Sequence, residues 1–454
     1  MAAIPPGRAL ATDLYELTMM AGYLAGGMTG QSSFELYVRS LPARRAYLVA
    51  AGLEQALDYL ESLAFTPDQI AYLRTVPALK DVPDTFFTRD LPAFRFTGEV
   101  WAVAEGTPVF AHEPILRVTA PAPEAQLVET ALLAIITFQT SIATKGARVV
   151  DAAAGVPVIE FGSRRAHGLD AGLHAARAAF VAGCAGTSNV EAGFAFGIPV
   201  SGTMAHSWVM SFDDEVEAFR RYCDLFGHQA VLLIDTYDTE EAARRIVDAG
   251  LRPAAVRLDS GDFVALSVSV RRILDAGGLH DTGIFVSGDL DEDKIAALMK
   301  AKAPVNGFGV GTALSTSNDA PALGGVYKLV EVERDGQRVP VLKLSAGKRT
   351  YPARKQVWRI VRDGRAQHDL IGLAGEPAPD EGRPLLTQVM RGGRRVAPSP
   401  PLPAVQEACR AARAELPPEL RELDAAPDYP VEISPTLNAL TERISEAIEG
   451  ERSR

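Results

Sequence analysis

Short apolar runs recur between about residues 156 and 330, and most of them end in polar or glycine-rich residues. Because a short β-branched run needs burial on both faces, such runs are typical of a parallel sheet covered by helices. Segments with helical character, such as 213–226 and 240–249, separate the runs, so the repeat is βαβ. The runs are 156–161, 180–184, 198–201, 231–234, 255–259, 284–286, 305–309 and 326–330. Eight such units predict an α/β barrel with its active site in the loops after the strands.

The patterns on either side of these runs predict a second unit. A helix is predicted at 12–20, antiparallel strands at 33–39, 98–103 and 109–118, and a long helix at 125–144. Gln356–Arg362 followed by Asp363-Gly364 is typical of a β-hairpin, and 392–423 of loop and exposed helix. We therefore predict an amino-terminal α/β domain at 1–125, a catalytic barrel at 126–340, and a carboxyl-terminal segment at 341–454 that packs back on the amino-terminal sheet.

The composition of the 454 residues excludes several classes of protein. No run of 18 apolar residues is present and the amino terminus has no signal pattern, so we expect a cytoplasmic protein without a membrane span. The net charge of −11 argues against nucleic-acid and anionic-membrane partners. Cys184, Cys223 and Cys409 are too far apart for a cysteine zinc site and too few for a disulfide framework. An anionic substrate would therefore need a local positive pocket.

Two clusters at predicted strand ends suggest chemistry on a phosphorylated substrate. His206 follows a turn that begins at Gly202, where it could act as a nucleophile, a base or a phosphate acceptor. The alternative is a structural histidine bonded to a backbone carbonyl. The segment Gly307–Thr312, with three glycines, could hold a phosphate through its backbone N–H groups, although tight turns also need glycine. Its predicted place in the seventh loop of a barrel favours phosphate.

Charged residues on the neighbouring strands extend this picture. Side chains alternate along a strand, so Arg257 and Asp259 point the same way. They form either an internal ion pair or a site for a substrate with anionic and hydroxyl groups. Arg164 and Arg165 add a second positive site suited to a carboxylate or a phosphate, while 235–239 could simply be a capped turn. These residue types indicate a barrel enzyme that acts on a phosphorylated, hydroxylated anion.

Seven motifs resemble, in chain order, those of nicotinate phosphoribosyltransferases. They are Thr12-Asp-Leu-Tyr-Glu-Leu-Thr18, Glu160-Phe-Gly-Ser-Arg-Arg165, Thr187-Ser-Asn-Val190, Phe196-Gly-Ile-Pro-Val-Ser-Gly-Thr-Met-Ala-His-Ser207, Arg257-Leu-Asp-Ser-Gly-Asp262, Gly307-Phe-Gly-Val-Gly-Thr312 and Tyr327-Lys-Leu-Val330. The resemblance implies the type II phosphoribosyltransferase fold, an irregular TIM-like α/β barrel with an amino-terminal α/β domain completed by carboxyl-terminal segments. It implies a homodimer with shared active sites. It also implies transfer of phosphoribose from phosphoribosyl pyrophosphate to nicotinate in NAD salvage, driven by ATP through a phosphorylated histidine, with Mg²⁺ on the pyrophosphate.

The resemblance also implies roles for individual residues. The implied catalytic residues are His206, which would carry the phosphoryl group, Arg257 and Asp259. The implied nicotinate-binding residues are Tyr15, Phe161, Arg164, Ser188, Thr203 and Arg257. The implied phosphoribosyl pyrophosphate-binding residues are Arg39, Asp259, Ser260, Gly288, Asp289, Gly309, Gly311 and Thr312. Of these, Tyr15 and Arg39 would reach the site from the partner subunit.

Three alternative interpretations of the sequence share parts of this pattern. Nicotinamide phosphoribosyltransferases have the same layout, but an aspartate there receives the amide where Ser188 stands here. Quinolinate phosphoribosyltransferases are shorter and lack the His206 element. An inactive binding protein on the same barrel is disfavoured by the intact His206, Arg257 and Asp259. Some relatives have a cysteine-rich metal site near the carboxyl terminus; this chain lacks those cysteines, so we expect no structural zinc.

Overall fold

The computed structural model describes residues 8–344, 350–424 and 427–452. The chain divides into two compact units. The flanking unit consists of Met1–Ser141 and Ala322–Arg454, and the barrel unit of Ile142–Pro321. These boundaries differ from the predicted ones at 125 and 340, because the segment after residue 322 forms strands of the flanking unit.

The first part of the flanking unit is mixed helix and strand. Its helices are α1 (Leu14–Ala25), α2 (Leu53–Ser62), α3 (Pro67–Leu73), α4 (Leu91–Ala93), α5 (Ala122–Leu127) and α6 (Glu129–Ala152), which continues into the barrel unit. Its strands are β1 (Gln31–Val38), β2 (Leu48–Val49), β3 (Glu99–Val103), β4 (Pro108–Val109) and β5 (Leu116–Pro121). The predicted strand at 109–118 is two strands, β4 and β5, of which β5 pairs antiparallel with β1 and β3 as expected; the continuous strand between them is wrong. The chain turns there because Glu113 accepts the Phe110 amide at 2.8 Å and His112 is left-handed, with φ of 69°.

The barrel unit contains a six-stranded parallel sheet. Its strands are β6 (Val158–Glu160), β7 (Gly186–Thr187), β8 (Val231–Leu233), β9 (Ala255–Leu258), β10 (Gly283–Val286) and β11 (Gly307–Val310), in the order β7-β6-β11-β10-β9-β8. Its helices are α7 (Leu169–Val181), α8 (Val190–Phe196), α9 (His206–Met210), α10 (Glu215–Phe226), α11 (Thr239–Asp248), α12 (Phe263–Ala276), α13 (Glu292–Lys300) and α14 (Thr312–Thr316). Gly307–Val310 is thus the sixth strand in chain order, not the seventh.

Three of the eight predicted barrel strands are not strands of this sheet. The run at 180–184 is the end of α7 and the turn after it, because a buried apolar run fits a helix as well as a strand. The run at 198–201 contributes a single bridge between Val200 and Thr187. The run at 326–330 pairs with the flanking sheet. The barrel is therefore more irregular than eight equal βα units.

The carboxyl-terminal part of the chain completes the flanking unit. Its elements are β12 (Gly325–Arg334), β13 (Gln337–Pro340), β14 (Lys355–Arg362), β15 (Arg365–Leu373), β16 (Gly382–Pro384), β17 (Leu386–Arg391), β18 (Arg394–Arg395), β19 (Val431–Ile433), α15 (Leu402–Ala414) and α16 (Pro435–Arg452). Strand β12 pairs with β1 and β17 with β3, within a seven-stranded sheet ordered β13-β12-β1-β5-β3-β17-β18. The predicted hairpin is confirmed, with Asp363 and Gly364 left-handed at its turn.

The remaining sheets are a four-stranded one, β16-β14-β15-β19, and the pair β2-β4. Short 3₁₀ turns occupy Arg8–Leu10, Pro77–Leu79, Gly227–Gln229 and Pro418–Arg421, and a π-helical turn occupies Phe86–Asp90. Within the described ranges, no helix is long and apolar enough to span a bilayer.

Candidate active site

Three neighbouring strands of the barrel unit end in polar residues that lie close together. Asp235 follows β8, Asp259 follows β9, and Ser287 follows β10. Because β8, β9 and β10 are parallel and adjacent, their carboxyl ends meet at one edge of the sheet. This edge is the place predicted for chemistry.

Arg257 is the centre of the hydrogen-bond network at this edge. Its Nη2 donates to Asp259 Oδ1 at 2.7 Å and its Nε to Ser287 Oγ at 2.7 Å. Its Nη1 donates to Thr203 Oγ1 at 2.9 Å and to the carbonyl of Met204 at 3.2 Å. The internal ion pair, one of the two alternatives for Arg257 and Asp259, is therefore present. The same guanidinium also orients Thr203, one of the implied nicotinate contacts.

Asp259 is held ionised by its neighbours. Burial alone would raise the pKa of this carboxyl, but hydrogen bonds from Ser287 and Arg257, with the charges of Arg257 and His206, lower it below its usual value. Ser287 Oγ donates a short hydrogen bond to Asp259 Oδ1. A fixed carboxylate at a strand end can stabilise positive charge that develops on a bound substrate.

His206 is the first residue of α9, and its side chain is 41% exposed. Its Nδ1 lies 3.2 Å from the hydroxyl of Thr236. Its Nε2 lies 3.9 Å from Asp259 Oδ2 and 4.0 Å from Asp235 Oδ1. The ring therefore faces two carboxylates, and it is bonded to a side chain rather than to a backbone carbonyl as in the structural alternative.

Asp235 belongs to this cluster although the sequence interpretation made it part of a capped turn. Its side chain is only 2% exposed. Its Oδ2 accepts from the Asp259 amide at 3.1 Å and from Ser260 Oγ at 2.6 Å. Its Oδ1 is buried and has no hydrogen-bond partner among the described residues. The available signal was its position directly after a short apolar run, the same position that identified Asp259.

Two aromatic rings lie beside the polar cluster. Phe161 follows β6 and tilts against Phe285, with ring centroids 5.6 Å apart. The guanidinium carbon of Arg257 lies 5.9 Å from the centre of the Phe161 ring. A Cβ at Gly309 would be 2.6 Å from the Phe161 ring, so this glycine permits close packing of the ring against β11. The arrangement offers an aromatic face next to an arginine.

The remaining glycines with implied phosphate roles shape tight turns. Gly288 has φ of +95°, and a Cβ there would lie 1.9 Å from the carbonyl oxygen of Asp259. Asp289 is left-handed, and its carbonyl accepts from Lys294 Nζ at 2.7 Å. Gly311 directly precedes α14, which begins at Thr312. Phosphate contacts at these residues stay a prediction.

Glu160, to which the sequence interpretation gave no separate role, connects two loops, one carrying Arg164 after β6 and the other carrying Ser188 after β7. Its carboxylate accepts from Thr187 Oγ1 at 2.6 Å and from the Gly162 amide, and its carbonyl accepts the Ser188 amide at 2.9 Å. Burial raises the pKa of the Glu160 carboxyl, against the lowering effect of the hydrogen bonds from the Thr187 hydroxyl and the Gly162 amide. Arg164 itself is exposed and has no ion-pair partner within the described ranges. It is therefore available to an anion.

Tyr15 and Arg39 lie in the flanking unit. Tyr15 is on α1 with 45% of its surface exposed. Burial of its hydroxyl, followed by the charges of Glu129 and Glu16, raises its pKa above the usual value. Arg39 follows β1, and its amide donates to the Gly324 carbonyl at 3.3 Å. That either residue completes the site of a partner subunit stays a prediction.

Comparison with known proteins finds similar proteins for both units of the chain. The family models for the nicotinate phosphoribosyltransferase amino-terminal domain, the nicotinate phosphoribosyltransferase family and the carboxyl-terminal domain match residues 10–137, 156–367 and 380–441. A nicotinate phosphoribosyltransferase of Mycobacterium tuberculosis is 46% identical over 94% of this chain and 91% of its own. One from Bacillus subtilis is 42% identical over 82% of this chain and 78% of its own.

The crystal structure of human nicotinic acid phosphoribosyltransferase superposes with a TM-score of 0.84 at 29% identity, covering 95% of this chain and 99% of that one. This confirms the predicted fold class, an irregular α/β barrel with an amino-terminal α/β domain completed by carboxyl-terminal segments. From its sequence, its fold and the assembled strand-end cluster, the chain belongs to the nicotinate phosphoribosyltransferase family.

Proposed function

We propose that the protein transfers phosphoribose from phosphoribosyl pyrophosphate to nicotinate in NAD salvage, and that ATP hydrolysis drives the transfer through His206. The observation that carries this proposal is the cluster in which His206 Nε2 lies 3.9 Å from Asp259, while Arg257 holds both Asp259 and Thr203. One edge of the sheet thus combines a nucleophilic ring, a fixed carboxylate and a cation beside an aromatic face.

Phosphoribosyl transfer breaks one bond and forms one bond at C1′ of the ribose. The pyridine nitrogen of nicotinate attacks C1′, and the electron pair of the C1′–O bond leaves with pyrophosphate. Positive charge develops on the ribose in between, and the ionised Asp259 is suited to stabilise it. Phe161 would stack on the pyridine ring, while Thr203 and the unpaired Arg164 would orient its carboxylate; such positioning supplies much of the rate.

The coupling to ATP needs a histidine nitrogen that can take a phosphoryl group. The Thr236 hydroxyl lies at Nδ1 of His206, which leaves Nε2 facing the cluster. With Nδ1 protonated, the Nε2 lone pair attacks the γ-phosphorus of ATP, and the bond to ADP breaks. Water later cleaves the N–P bond, releasing phosphate and restoring the neutral ring. The Thr236 hydroxyl would keep the ring oriented through both steps.

Mg²⁺ fits the chemistry of this cluster. It prefers carboxylate oxygens, and the buried Asp235 Oδ1 has no hydrogen-bond partner in the described part of the chain. Asp235 and Asp259 would hold the ion. Within the described ranges, no group of three acidic, histidine or cysteine side chains could bind a metal by itself. The substrate phosphates and water would therefore provide the remaining ligands. When bound, Mg²⁺ neutralises charge on the departing pyrophosphate.

A homodimer would explain two exposed apolar faces. On α8, Val190 and Phe194 are one helical turn apart and are 72% and 92% exposed. On α1, the large apolar side chains of Leu14, Tyr15 and Met19 are also exposed. Exposed apolar residues on this scale are typical of protein interfaces. A second copy of the chain would cover them, and Tyr15 and Arg39 would then contribute to the partner's site.

Steady-state assays with phosphoribosyl pyrophosphate and ATP test the reaction. Catalytic efficiency with nicotinate should exceed that with nicotinamide by at least roughly tenfold, because the carboxylate can accept a charge-assisted hydrogen bond from Arg164 worth about 1.5–3 kcal/mol, which the neutral amide cannot match. Similar efficiency with both would assign the chain to the amide-using enzymes. Absence of turnover with either base, in a protein that still binds phosphoribosyl pyrophosphate, would favour the inactive binding protein.

His206→Asn tests the ATP coupling. This variant should lose substrate-dependent ATP hydrolysis and keep at most slow transfer without ATP. A ³²P label from γ-labelled ATP should appear on the wild-type protein only. ATP-stimulated turnover at the wild-type rate in the variant would remove His206 from the mechanism.

Mixing two inactive variants tests the shared site. Tyr15→Ala and His206→Asn place their lesions in different units, so a hybrid dimer would retain one intact composite site. Partial recovery of activity on mixing is expected, together with a dimer mass by light scattering. A monomer, or no recovery from a mixed dimer, would refute the shared site.

A further inference from the structure

Four charged side chains form an ion-pair network in the barrel unit, away from the strand-end cluster, and three of the four are buried. Lys145 and Arg148 lie on α6, one helical turn apart. Lys145 Nζ lies 2.5 Å from Glu292 Oε2 and 2.8 Å from Asp319 Oδ1. Arg148 Nε lies 3.0 Å from Glu292 Oε1. Lys145 is thus the shared cation of two carboxylates that lie 27 residues apart in sequence.

The centre of the network is buried and charged. The side chains of Lys145 and Glu292 are 3% and 1% exposed. Burial would raise the pKa of Glu292, but the charge of Lys145 and the hydrogen bonds from Lys145 and Arg148 hold it below the usual value. Apolar residues of similar volume usually stabilise an interior at least as well as an ion pair does. The role of the network is therefore better sought in the geometry that it imposes.

The two carboxylates follow the two loops to which phosphoribosyl binding is assigned. Glu292 is the first residue of α13 and comes three residues after Asp289. Asp319 comes three residues after the end of α14, the helix that begins at Thr312. One ammonium group on α6 therefore connects the segment that continues the Gly288-Asp289 loop with the segment that continues the Gly311-Thr312 loop.

We propose that Lys145, supported by Arg148, is a positioning residue that sets the spacing between these two loops and so determines affinity for phosphoribosyl pyrophosphate. The inference rests on the proposed function. Both loops continue into elements that share this Nζ, so its loss removes the direct connection between them, although Arg148 still holds Glu292. The nicotinate contacts Phe161, Thr203 and Arg257 are held by other bonds and should be affected less.

Lys145→Met keeps an unbranched side chain, one atom shorter, and removes its charge. We expect the KM for phosphoribosyl pyrophosphate to rise about 10- to 100-fold, with the KM for nicotinate at saturating phosphoribosyl pyrophosphate changed by less than about threefold. Asp319→Asn is the second variant; because this side chain is 34% exposed, the fold should tolerate the change. It should raise the same KM about three- to tenfold.

Lys355→Met is the matched control. Lys355 is an equally buried lysine, paired with Glu35 at 2.7 Å, but it lies on β14 in the four-stranded sheet of the flanking unit. This variant should lower the melting temperature by an amount comparable to Lys145→Met and leave the ratio of the two KM values unchanged. If Lys355→Met shifts the ratio equally, the effect of Lys145 is only loss of stability, and the proposal is overturned.

Calorimetry with phosphoribosyl pyrophosphate alone separates this inference from the proposed function. Weaker binding in Lys145→Met and Asp319→Asn, but not in Lys355→Met, supports the positioning role even if turnover with nicotinate is absent. Wild-type affinity in a folded Lys145→Met protein overturns it; if that variant does not fold, wild-type affinity in Asp319→Asn does so. Failure of the wild type to bind phosphoribosyl pyrophosphate would contradict the proposed function itself.

Discussion

Gly309 packs directly against the ring of Phe161. An alanine at this position is therefore expected to lower kcat/KM for nicotinate more than it changes the KM for phosphoribosyl pyrophosphate. The added Cβ would lie 2.6 and 2.8 Å from two carbons of the Phe161 ring and 3.0 Å from Phe285. The nearest contact is about 0.8 Å short of the 3.4 Å at which ordinary van der Waals contact begins. Because the glycine is inside a buried strand, the rings must move rather than the backbone.

The structure sets the size of the expected effects. Overpacking a core by one methyl group costs about 1–3 kcal/mol, which at about 2.1 cal/mol/K of unfolding entropy per residue corresponds to roughly 1–3 °C in melting temperature for a chain of this length. Displacement of the Phe161 ring by most of an ångström should reduce kcat/KM for nicotinate about 10- to 100-fold. The KM for phosphoribosyl pyrophosphate should change by less than about threefold, since the loop at Gly311-Thr312 keeps its bonds.

Two glycine-to-alanine variants serve as controls. Gly277→Ala makes a similar clash, 2.4 Å from Val247, in the same unit but between α11 and α12. It should lower the melting temperature and leave both KM values alone. Gly375→Ala meets nothing within 4 Å and should change neither quantity. A Gly309→Ala protein with an unchanged nicotinate KM and a raised phosphoribosyl pyrophosphate KM would refute this reasoning and would restore Gly309 to the phosphate site.

Three further predictions concern the polar cluster. Arg257→Lys keeps the charge but loses the planar guanidinium, so at least one charged hydrogen bond of about 2–3 kcal/mol is lost. The kcat/KM for nicotinate should therefore fall roughly 30- to 150-fold, and a thermal melt verifies that the variant is folded. Asp259 has a lowered pKa in the folded state, so its stabilising contribution is present above the ordinary carboxyl range and is lost as the pH falls through the folded pKa. Below about pH 4, the melting temperature of Asp259→Asn should therefore fall less steeply with decreasing pH than that of the wild type. Identical acid profiles for the two proteins would contradict this. Thr312→Ala should weaken phosphoribosyl pyrophosphate binding by about 1–3 kcal/mol by calorimetry, with a smaller effect on nicotinate. It is a cleaner test than Gly311→Val, whose Cβ would lie 3.3 Å from the Phe161 carbonyl.

Much of the barrel unit follows from local pattern. The runs at 231–234, 255–259 and 284–286 are strands within one or two residues of the predicted bounds. Short β-branched segments that are buried on both faces usually form strands of parallel sheets. The candidate residues His206, Arg257 and Asp259 were identified for a similar reason, since the ends of parallel strands must meet. The run at 180–184 could not be assigned in this way, because a buried alanine-rich helix end has the same apolar composition as a strand.

Asp235 shows a different limit. Its sequence context, an aspartate after an apolar run and before a helix, is equally typical of a helix cap and of a site residue. The distinction lies in its contacts, in which Oδ2 is bonded to Ser260 and the Asp259 amide while Oδ1 remains without a partner near His206. These contacts join separate strand ends, and no local pattern carries information about them.

The amino-acid sequence alone determined the class of fold, the family and the residue types at the strand ends, because periodicity and turn residues act over a few positions of the chain. Only the tertiary structure decided which strands belong to which sheet. It placed 326–330 beside β1 rather than in the barrel, since strand pairing depends on neighbours some 300 residues away. It also decided that one buried lysine, Lys145, joins two distant carboxylates. Burial and charge pairing depend on the whole fold, so only the assembled structure shows them.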